Sequence, residues 1–524
     1  MDKHYYVALD IGSSSVKAVV GEKFHEGVNI IGTGQTYTDG VIKGNISNFE
    51  AVRSAITDTV KKAKISSDVD LDEVFLKIPT TDSLLVFEEN QLNFNGEPTE
   101  INGTHIEDLL ENIREKINDP DHEVVNVFPI YFKVDNLHEV VDPKEMIATE
   151  SLSIHAGAVL KNRSQLINIV KCVEDAGLEV LELFSDATNF EHILSESEIE
   201  LGSVIIDVGH EITQYAYYER GSLRALGAVP YGGMAITSDL SEAFNTNYEQ
   251  AERLKHQYGH AFYDHANDED IIKIPQRDNS EDLEVTAKDL ADIIELRLEE
   301  TLTEVFKALE ANKINRVSGG FVLTGGTVNL SGVKELVQDL VAEKVRIHIP
   351  NQMGARKPEF SSVISTISSA ILFDELLDYV TIDNHEGIEE TQEEQTHEEG
   401  NFFSNIFKMR REENDSRLGK KEPKKVESAP PSERKESSEP VDETPSFIQP
   451  EKDVVTEDKE PLQESEPETF EQEDYGYDGD EREADDDDES QVETPHEPEE
   501  QHSVEEQKET KGEYFKKLFR NLFE

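Results

Sequence analysis

A strand that ends in Asp-x-Gly appears twice in this chain, and a third apolar strand ends in a glycine pair. The first is Tyr6-Val7-Ala8-Leu9-Asp10-Ile11-Gly12, which passes through Ser13 and Ser14 into a second strand at Ser15-Val16-Lys17-Ala18. The second is Val204-Ile205-Ile206-Asp207-Val208-Gly209, which leads into the apolar run 212–218. The third is Gly320-Phe321-Val322-Leu323-Thr324-Gly325-Gly326-Thr327. Small turn residues let backbone N–H groups approach phosphate oxygens, and an Asp at a strand end can hold a hydrated Mg²⁺. Each segment alone is a weak signal. In this order and at these spacings they form three walls of one nucleotide pocket.

The chain has 524 residues, enough for several domain-sized units, so core burial is not limiting. Its net charge of −63 argues against a nucleic-acid partner, because neutralising phosphates needs a basic surface. The single cysteine, Cys172, excludes a disulfide framework and suits a reducing compartment as a small buried side chain. No apolar run approaches the ~18 residues of a spanning helix, and a strand begins too early to leave room for a signal peptide. The expected setting is the cytoplasm.

Residues 5–11, 16–22 and 28–36 read as a strand meander bounded by Gly and Ser. Phe49, Val52, Ile56, Val60 and Ala63 then recur at helical spacing, and Val74-Phe75-Leu76-Lys77-Ile78 returns as a strand. This suits the mixed sheet of a ribonuclease-H-like half. Residues 84–162 interrupt it, with strand-like alternation at 83–88 and 124–134 around a helix near 104–117. A helix covers roughly 164–176, and residues 241–313 read as mostly helical, with a long amphipathic stretch over 283–309.

Beyond residue 386 the composition changes. Residues 412–511 hold 37 Asp and Glu against 12 Lys and Arg, too acidic and too poor in aliphatic side chains to offset ordering entropy, so a disordered linker is expected. As a flexible coil it would span on the order of 55 Å. At its end Phe515, Leu518, Phe519, Leu522 and Phe523 share one helical face, with Lys516, Lys517 and Arg520 opposite. Thirteen residues make a helix of about 20 Å, too short to cross a bilayer. An in-plane amphipathic membrane anchor over 512–524 is the expectation, with docking onto the core as the alternative. A second basic-aromatic stretch, 401–411, either packs on the core or makes a second membrane contact.

These motifs resemble the superfamily of actin, the heat-shock chaperone ATPases and the sugar kinases, and within it the FtsA family of bacterial actin-like cell-division proteins. The resemblance rests on Ala8-Leu9-Asp10-Ile11-Gly12-Ser13-Ser14, on Val170-Lys171-Cys172-Val173-Glu174-Asp175-Ala176-Gly177-Leu178 and on Glu200-Leu201-Gly202. It continues through Val229-Pro230-Tyr231-Gly232-Gly233, Ala251-Glu252-Arg253-Leu254-Lys255 with Tyr258-Gly259, and Val322-Leu323-Thr324-Gly325-Gly326, and covers roughly residues 5–380. It implies an α/β, actin-like fold of two ribonuclease-H-like halves around a nucleotide cleft. Subdomain 1A would take 1–83 and 163–190, inserted subdomain 1C 84–162, subdomain 2A 191–240 and 314–385, and inserted subdomain 2B 241–313.

The resemblance also implies the site. Asp10 and Asp207 would hold Mg²⁺ through water. Gly12, Ser13, Ser14 and Lys17 would meet the phosphates of ATP from one side, Gly209 and Thr213 from the other. Gly325, Gly326 and Thr327 would pass beneath the nucleoside, with Glu252 and Lys255 at the ribose and base. Glu191 falls where the superfamily often places a catalytic, water-polarising residue. Subdomain 2B would dock the C-terminal peptide of the tubulin-like protein FtsZ, with Arg297 either touching it or forming a helix-surface salt bridge. Implied partners are FtsZ, further copies of the chain in actin-like filaments, an anionic membrane surface and later division proteins. The implied location is the cytoplasmic face of the membrane at the division septum.

One departure stands out. Family phosphate-2 loops usually read Asp-x-Gly-Gly-Gly-Thr-Thr, whereas this chain has Asp207-Val208-Gly209-His210-Glu211-Ile212-Thr213. Either Glu211 points away from the phosphates, or it repels them by roughly 1–4 kcal/mol. Binding is therefore expected, with hydrolysis weak at most. The competing readings are a sugar kinase or exopolyphosphatase of the same fold, a heat-shock-type chaperone, and a scaffold that binds no nucleotide.

Overall fold

The same five-stranded sheet is built twice. In the first half the strand order is Glu179–Ser185, Glu73–Ile78, Tyr6–Ile11, Ser15–Phe24, Gly27–Tyr37. In the second it is Val345–Ile347, Gly320–Thr324, Ser203–Val208, Thr213–Glu219, Ser222–Val229. Each sheet is an antiparallel meander of three strands followed by two parallel ones that arrive through helical crossovers. This computed structural model describes residues 5–386, apart from 26, 270 and 278–280. The acidic linker, the 401–411 stretch and the 512–524 helix lie outside the described residues.

Helix Phe49–Ser67 begins where the Asn48 side chain accepts from the Ala51 N–H and ends at Asp68 in the left-handed region. It buries Val52, Ala55, Ile56 and Ala63 on the first sheet. Gly34 permits that contact, since a Cβ there would lie 2.1 Å from the Thr59 carbonyl oxygen. Cys172 is buried in helix Arg163–Asp175 as expected, and burial pushes its thiol up to about 11.

The insertion is an antiparallel sheet in the order His138–Val140, His122–Val134, Ser151–Asn162, Ser83–Asn93. Helix Gly103–Lys116 covers one face through Ile106, Leu109 and Ile113. Its central strand, Ser151–Asn162, alternates polar and apolar side chains over Ser151–Ala156 and is buried on both faces from Ala156 to Lys161. The amphipathic stretch read over 283–309 also divides. Leu283–Thr286 pairs with Ile271–Ile274, and the helix Ala287–Ala311 starts only after a capping box of Thr286 and Asp289.

The helix Ser361–Glu386 corrects the expected grouping of 314–385 with the second half. Val363, Ile364, Ile367 and Ile371 pack on Tyr6, Ala8, Val19, Phe75 and Phe184, so this helix crosses back to the first sheet. Among the described residues no helix is long and apolar enough to cross a membrane.

Candidate functional site

The duplicated sheets place equivalent residues at one seam. Asp10 stands opposite Lys17 in the first meander, and Asp207 opposite Gln214 in the second. Both turns close alike, with Gly12 N–H donating to the Ser15 carbonyl at 3.1 Å and Gly209 N–H to the Ile212 carbonyl at 3.0 Å. Lys17 Nζ lies 3.0 Å from Asp10 Oδ2, and Lys77 Nζ bridges Asp10 Oδ1 at 3.0 Å and Asp186 Oδ2 at 2.8 Å. Gln214 Nε2 donates to Asp186 Oδ2 at 3.0 Å and reaches Asp207 Oδ2 at 3.4 Å, which joins the two halves. Ser362 Oγ donates to the other Asp186 oxygen. Every member of this floor is buried.

Three carboxylates face two ammonium groups there. Burial would raise the Asp10 carboxyl, but Lys17 and Lys77 hold it down to about 2. Burial likewise works against the Lys77 charge, and Asp10 and Asp186 outweigh it. Asp207 is the opposite case. Burial pushes it up to about 6, Lys77 and more weakly Lys17 oppose the rise, and Asp186 and Asp10 add to it. The floor thus carries surplus negative charge centred on Asp207, whose one side-chain donor among the described residues is the Gln214 amide.

The loops expected to hold phosphates pack tightly on one another. Gly325 has φ of 95°, and a Cβ there would stand 2.2 Å from Asp207 Oδ1, so only glycine fits behind that carboxylate. A Cβ built on Gly326 would make one ordinary contact, with Glu359 Cβ at 3.8 Å. The Gly209 carbonyl accepts from Thr327 Oγ1 at 2.7 Å and from Gly233 N–H at 3.0 Å. Ser13 and Ser14 are partly exposed on the first turn. Thr213 departs from expectation, since its buried hydroxyl donates to the Tyr231 carbonyl at 2.9 Å. Gly12 and Gly209 likewise use their own N–H groups to close their turns.

Lys255 is buried, donating to the Gly233 carbonyl at 2.9 Å, Thr237 Oγ1 at 2.7 Å and Glu252 Oε2 at 2.7 Å. Burial opposes the Glu252 charge, but His256, Lys255 and Thr237 bring its carboxyl down to about 2. The pair sits where helix Tyr248–Tyr258 meets the start of helix Gly233–Ala243, beside the Gly209 loop.

Glu211 turns away from the floor. Its buried carboxylate accepts from the Lys43 backbone N–H at 2.5 Å, across to the first half. Burial holds the His210 imidazole below its usual value, with Lys255 acting in the same direction, so it is neutral at pH 7. Glu191 does not join the floor. It lies in the short turn Phe190–Ile193 with its side chain half open to solvent and His192 at 3.9 Å. Arg297 forms a two-point ion pair with Asp239 on the neighbouring helix and a bond of 2.7 Å to Glu300.

Lys77, Asp186 and Gln214 were missed in the sequence, although each left a trace. Lys77 is a charge inside an apolar strand, where buried polar groups are the informative ones. Asp186 follows the apolar end of Glu179–Ser185, the same strand-end carboxylate already noted at Asp10 and Asp207. Gln214 interrupts the apolar run 212–218.

These residues fit a hydrated Mg²⁺. Asp207 feels the charges of Asp186 and Asp10, and its Oδ2 has a donor only at 3.4 Å, the Gln214 amide, among the described residues. Mg²⁺ characteristically keeps several waters and binds through one or two carboxylates plus phosphates.

Two copies of one sheet, meeting at a buried floor of strand-end carboxylates and lysines, define an actin-like α/β protein. A family model described as cell division protein FtsA matches residues 204–365, and one described as the SHS2 domain inserted in FtsA matches residues 86–159, the inserted sheet. The cell division protein FtsA of Staphylococcus epidermidis is 55% identical over 394 residues, 75% of this chain and 84% of that protein. That of Bacillus subtilis is 32% identical over 376 residues, 70% and 83% of the two chains. Among solved structures, a chain of a PilM-PilN type IV pilus biogenesis complex has a TM-score of 0.48 at 15% identity, covering 69% of this chain and 97% of that one. MreB 5 of Spiroplasma citri bound to AMPPNP has a TM-score of 0.45 at 12% identity, covering 74% and 100%. The chain belongs to the FtsA family of cell division proteins.

Proposed function

We propose that this cleft binds ATP with Mg²⁺, and that the chain forms actin-like filaments which tie FtsZ to the cytoplasmic membrane at the division septum. The observation that supports the nucleotide reading is the floor itself, where Asp10, Asp186 and Asp207 converge with Lys17 and Lys77 at the seam of the two sheets. A buried surplus of negative charge is costly unless a cation shares it. Asp207 and Asp10 would hold Mg²⁺ through water, and the ion would supply charge neutralisation for the phosphates. Lys17, in the strand that follows the Ser13–Ser14 turn, would meet a phosphate oxygen. Gly326, where a Cβ would meet no closer atom than Glu359 Cβ at 3.8 Å, would pass beneath the nucleoside. Glu211 would repel the phosphates less than a carboxylate facing them, since its carboxylate accepts from the Lys43 backbone N–H.

Titration calorimetry of the full chain with ATP and Mg²⁺ tests this reading. Asp207→Ala should weaken binding by at least about 1.5–3 kcal/mol, the scale of a charge-assisted contact. Equal affinity in the variant would remove the basis for the site. The FtsZ reading predicts that a protein ending at residue 385 still captures an FtsZ C-terminal peptide. Arg297→Glu then separates a partner contact from a purely internal salt bridge to Asp239.

A further inference from the structure

Lys161 is fully buried near the end of the inserted sheet's central strand, and its ammonium group bonds only neutral oxygens. Nζ donates to the Pro79 carbonyl at 3.1 Å, to Thr81 Oγ1 at 3.1 Å and to the Thr81 carbonyl. Asp82 and Asp186 are the carboxylates that act on it through space. Glu123, its cross-strand neighbour, is engaged by Arg163 at 3.1 Å. An apolar side chain could fill this place without desolvating a charge. What the charge secures is the loop 79–81, held from both sides of Thr80.

Thr80 is the link that matters. Its N–H donates to Gln214 Oε1 at 2.6 Å, and its hydroxyl lies 3.0 Å from the same oxygen and 3.1 Å from the Gly227 carbonyl. With its oxygen fixed, Gln214 must present its amide N–H groups to Asp186 and Asp207. The loop itself continues the strand that carries Lys77. A second stitch runs alongside. Asn126 of the inserted sheet accepts from the Ser185 N–H at 2.8 Å and donates to the Leu183 carbonyl at 3.1 Å, on the strand that ends at Asp186. The inserted sheet is therefore rooted at the ends of both strands that deliver floor residues.

We propose that Lys161 is a positioning residue which, through Pro79, Thr80, Thr81 and Gln214, couples the seating of the inserted sheet to the orientation of Asp207 at the cleft floor. A ligand that orders Asp207 then also orders the inserted sheet, and by reciprocity whatever binds that sheet alters the affinity of the cleft. The ligand arm rests on the nucleotide reading; the link from Lys161 to Gln214 does not.

Hydrogen exchange read by mass spectrometry on the full chain tests both arms. In Lys161→Met, exchange in residues 79–82 should rise at least tenfold without nucleotide. Mg-ATP should bind several-fold more weakly, and the slowing of exchange it produces over 83–93 and 151–162 in the parent should vanish. Unchanged protection of 79–82 in the variant would overturn the proposal, as would unchanged ATP affinity with unchanged slowing. Should the parent bind no ATP, the nucleotide reading fails while residues 79–82 still test the link.

A pH series needs no substitution. Burial lowers the Lys161 ammonium to about 8. After correction for intrinsic exchange, protection of 79–82 in the parent should therefore fall between pH 7.5 and 9, and in the Met variant it should show no step. An apolar structural role would give no step in either protein and would refute the proposal. If Lys161→Met does not fold, Thr81→Val removes one of the three acceptors and should shift exchange in the same direction by a smaller factor. No shift in that variant, together with no pH step in the parent, would also refute it.

Discussion

Replacing Lys77 by Met should be among the most damaging single changes in this protein, for a reason that does not involve its volume. Lys77 Nζ touches Asp10 at 3.0 Å and Asp186 at 2.8 Å, and the Lys77 side chain is 9% exposed while that of Asp186 is 0%. Met fills much the same space, so cavity terms are small. Without the ammonium, Asp10 keeps Lys17 as a partner, but Asp186 retains only the Ser362 hydroxyl and the Gln214 amide. Removing one partner of a buried ion pair typically costs about 3–5 kcal/mol, because the abandoned charge stays desolvated. Urea unfolding followed by far-ultraviolet circular dichroism at pH 7 should show the loss. With a slope of about 2–3 kcal/mol per molar, the midpoint should fall by roughly 1–2 M. The chain has no tryptophan, so a fluorescence readout would depend on its 15 tyrosines. Lys77→Met combined with Asp186→Asn should cost clearly less than the sum of the two single changes. A loss below about 1 kcal/mol at pH 7, or strict additivity in that cycle, would refute the view that Lys77 holds the floor together.

Asp207→Asn should stabilise the nucleotide-free protein while weakening Mg-ATP binding. The folded carboxyl is raised to about 6, so its ionisation costs stability that is intact below the unfolded pKa and lost as pH rises through 6. The variant's gain, on the order of 2–3 kcal/mol above pH 6, should disappear near pH 4, and a pH-independent gain in thermal melting would contradict this. Glu211→Gln should cost about 1–2 kcal/mol and speed exchange of the Lys43 amide. Replacing His210 and Glu211 by two glycines should not tighten ATP binding, and a gain of tenfold would mean that the carboxylate faces the phosphates after all. Phe519→Glu should abolish co-sedimentation with anionic liposomes, and raised salt should weaken the parent, because the three basic residues add about 1 kcal/mol each. Pelleting that survives truncation after Lys511 would move the anchor to 401–411.

The sequence by itself determined the elements whose signals are local. The two strand-Asp-x-Gly motifs were legible because a short apolar strand followed by small turn residues has few other ways to fold, and both strands carry their Asp to the seam of the two sheets. The glycine pair at Gly325 and Gly326 was legible for the same reason. Helix Phe49–Ser67 announced itself through apolar spacing, and the structure added its Asn48 cap. Tertiary structure alone decided which charged groups meet. Lys77 and Asp186 are 109 residues apart, and nothing in either local sequence says that one ammonium will bridge two carboxylates. Thr213 and Glu211 looked like phosphate-loop groups, yet packing aimed one at Tyr231 and the other at Lys43. Lys161 and the helix Ser361–Glu386 show the same limit, since a strand or helix records its periodicity but not the surface it will be buried against. Side-chain partners separated by a hundred residues are chosen by the desolvation of charge, which exists only once the two halves have closed on each other.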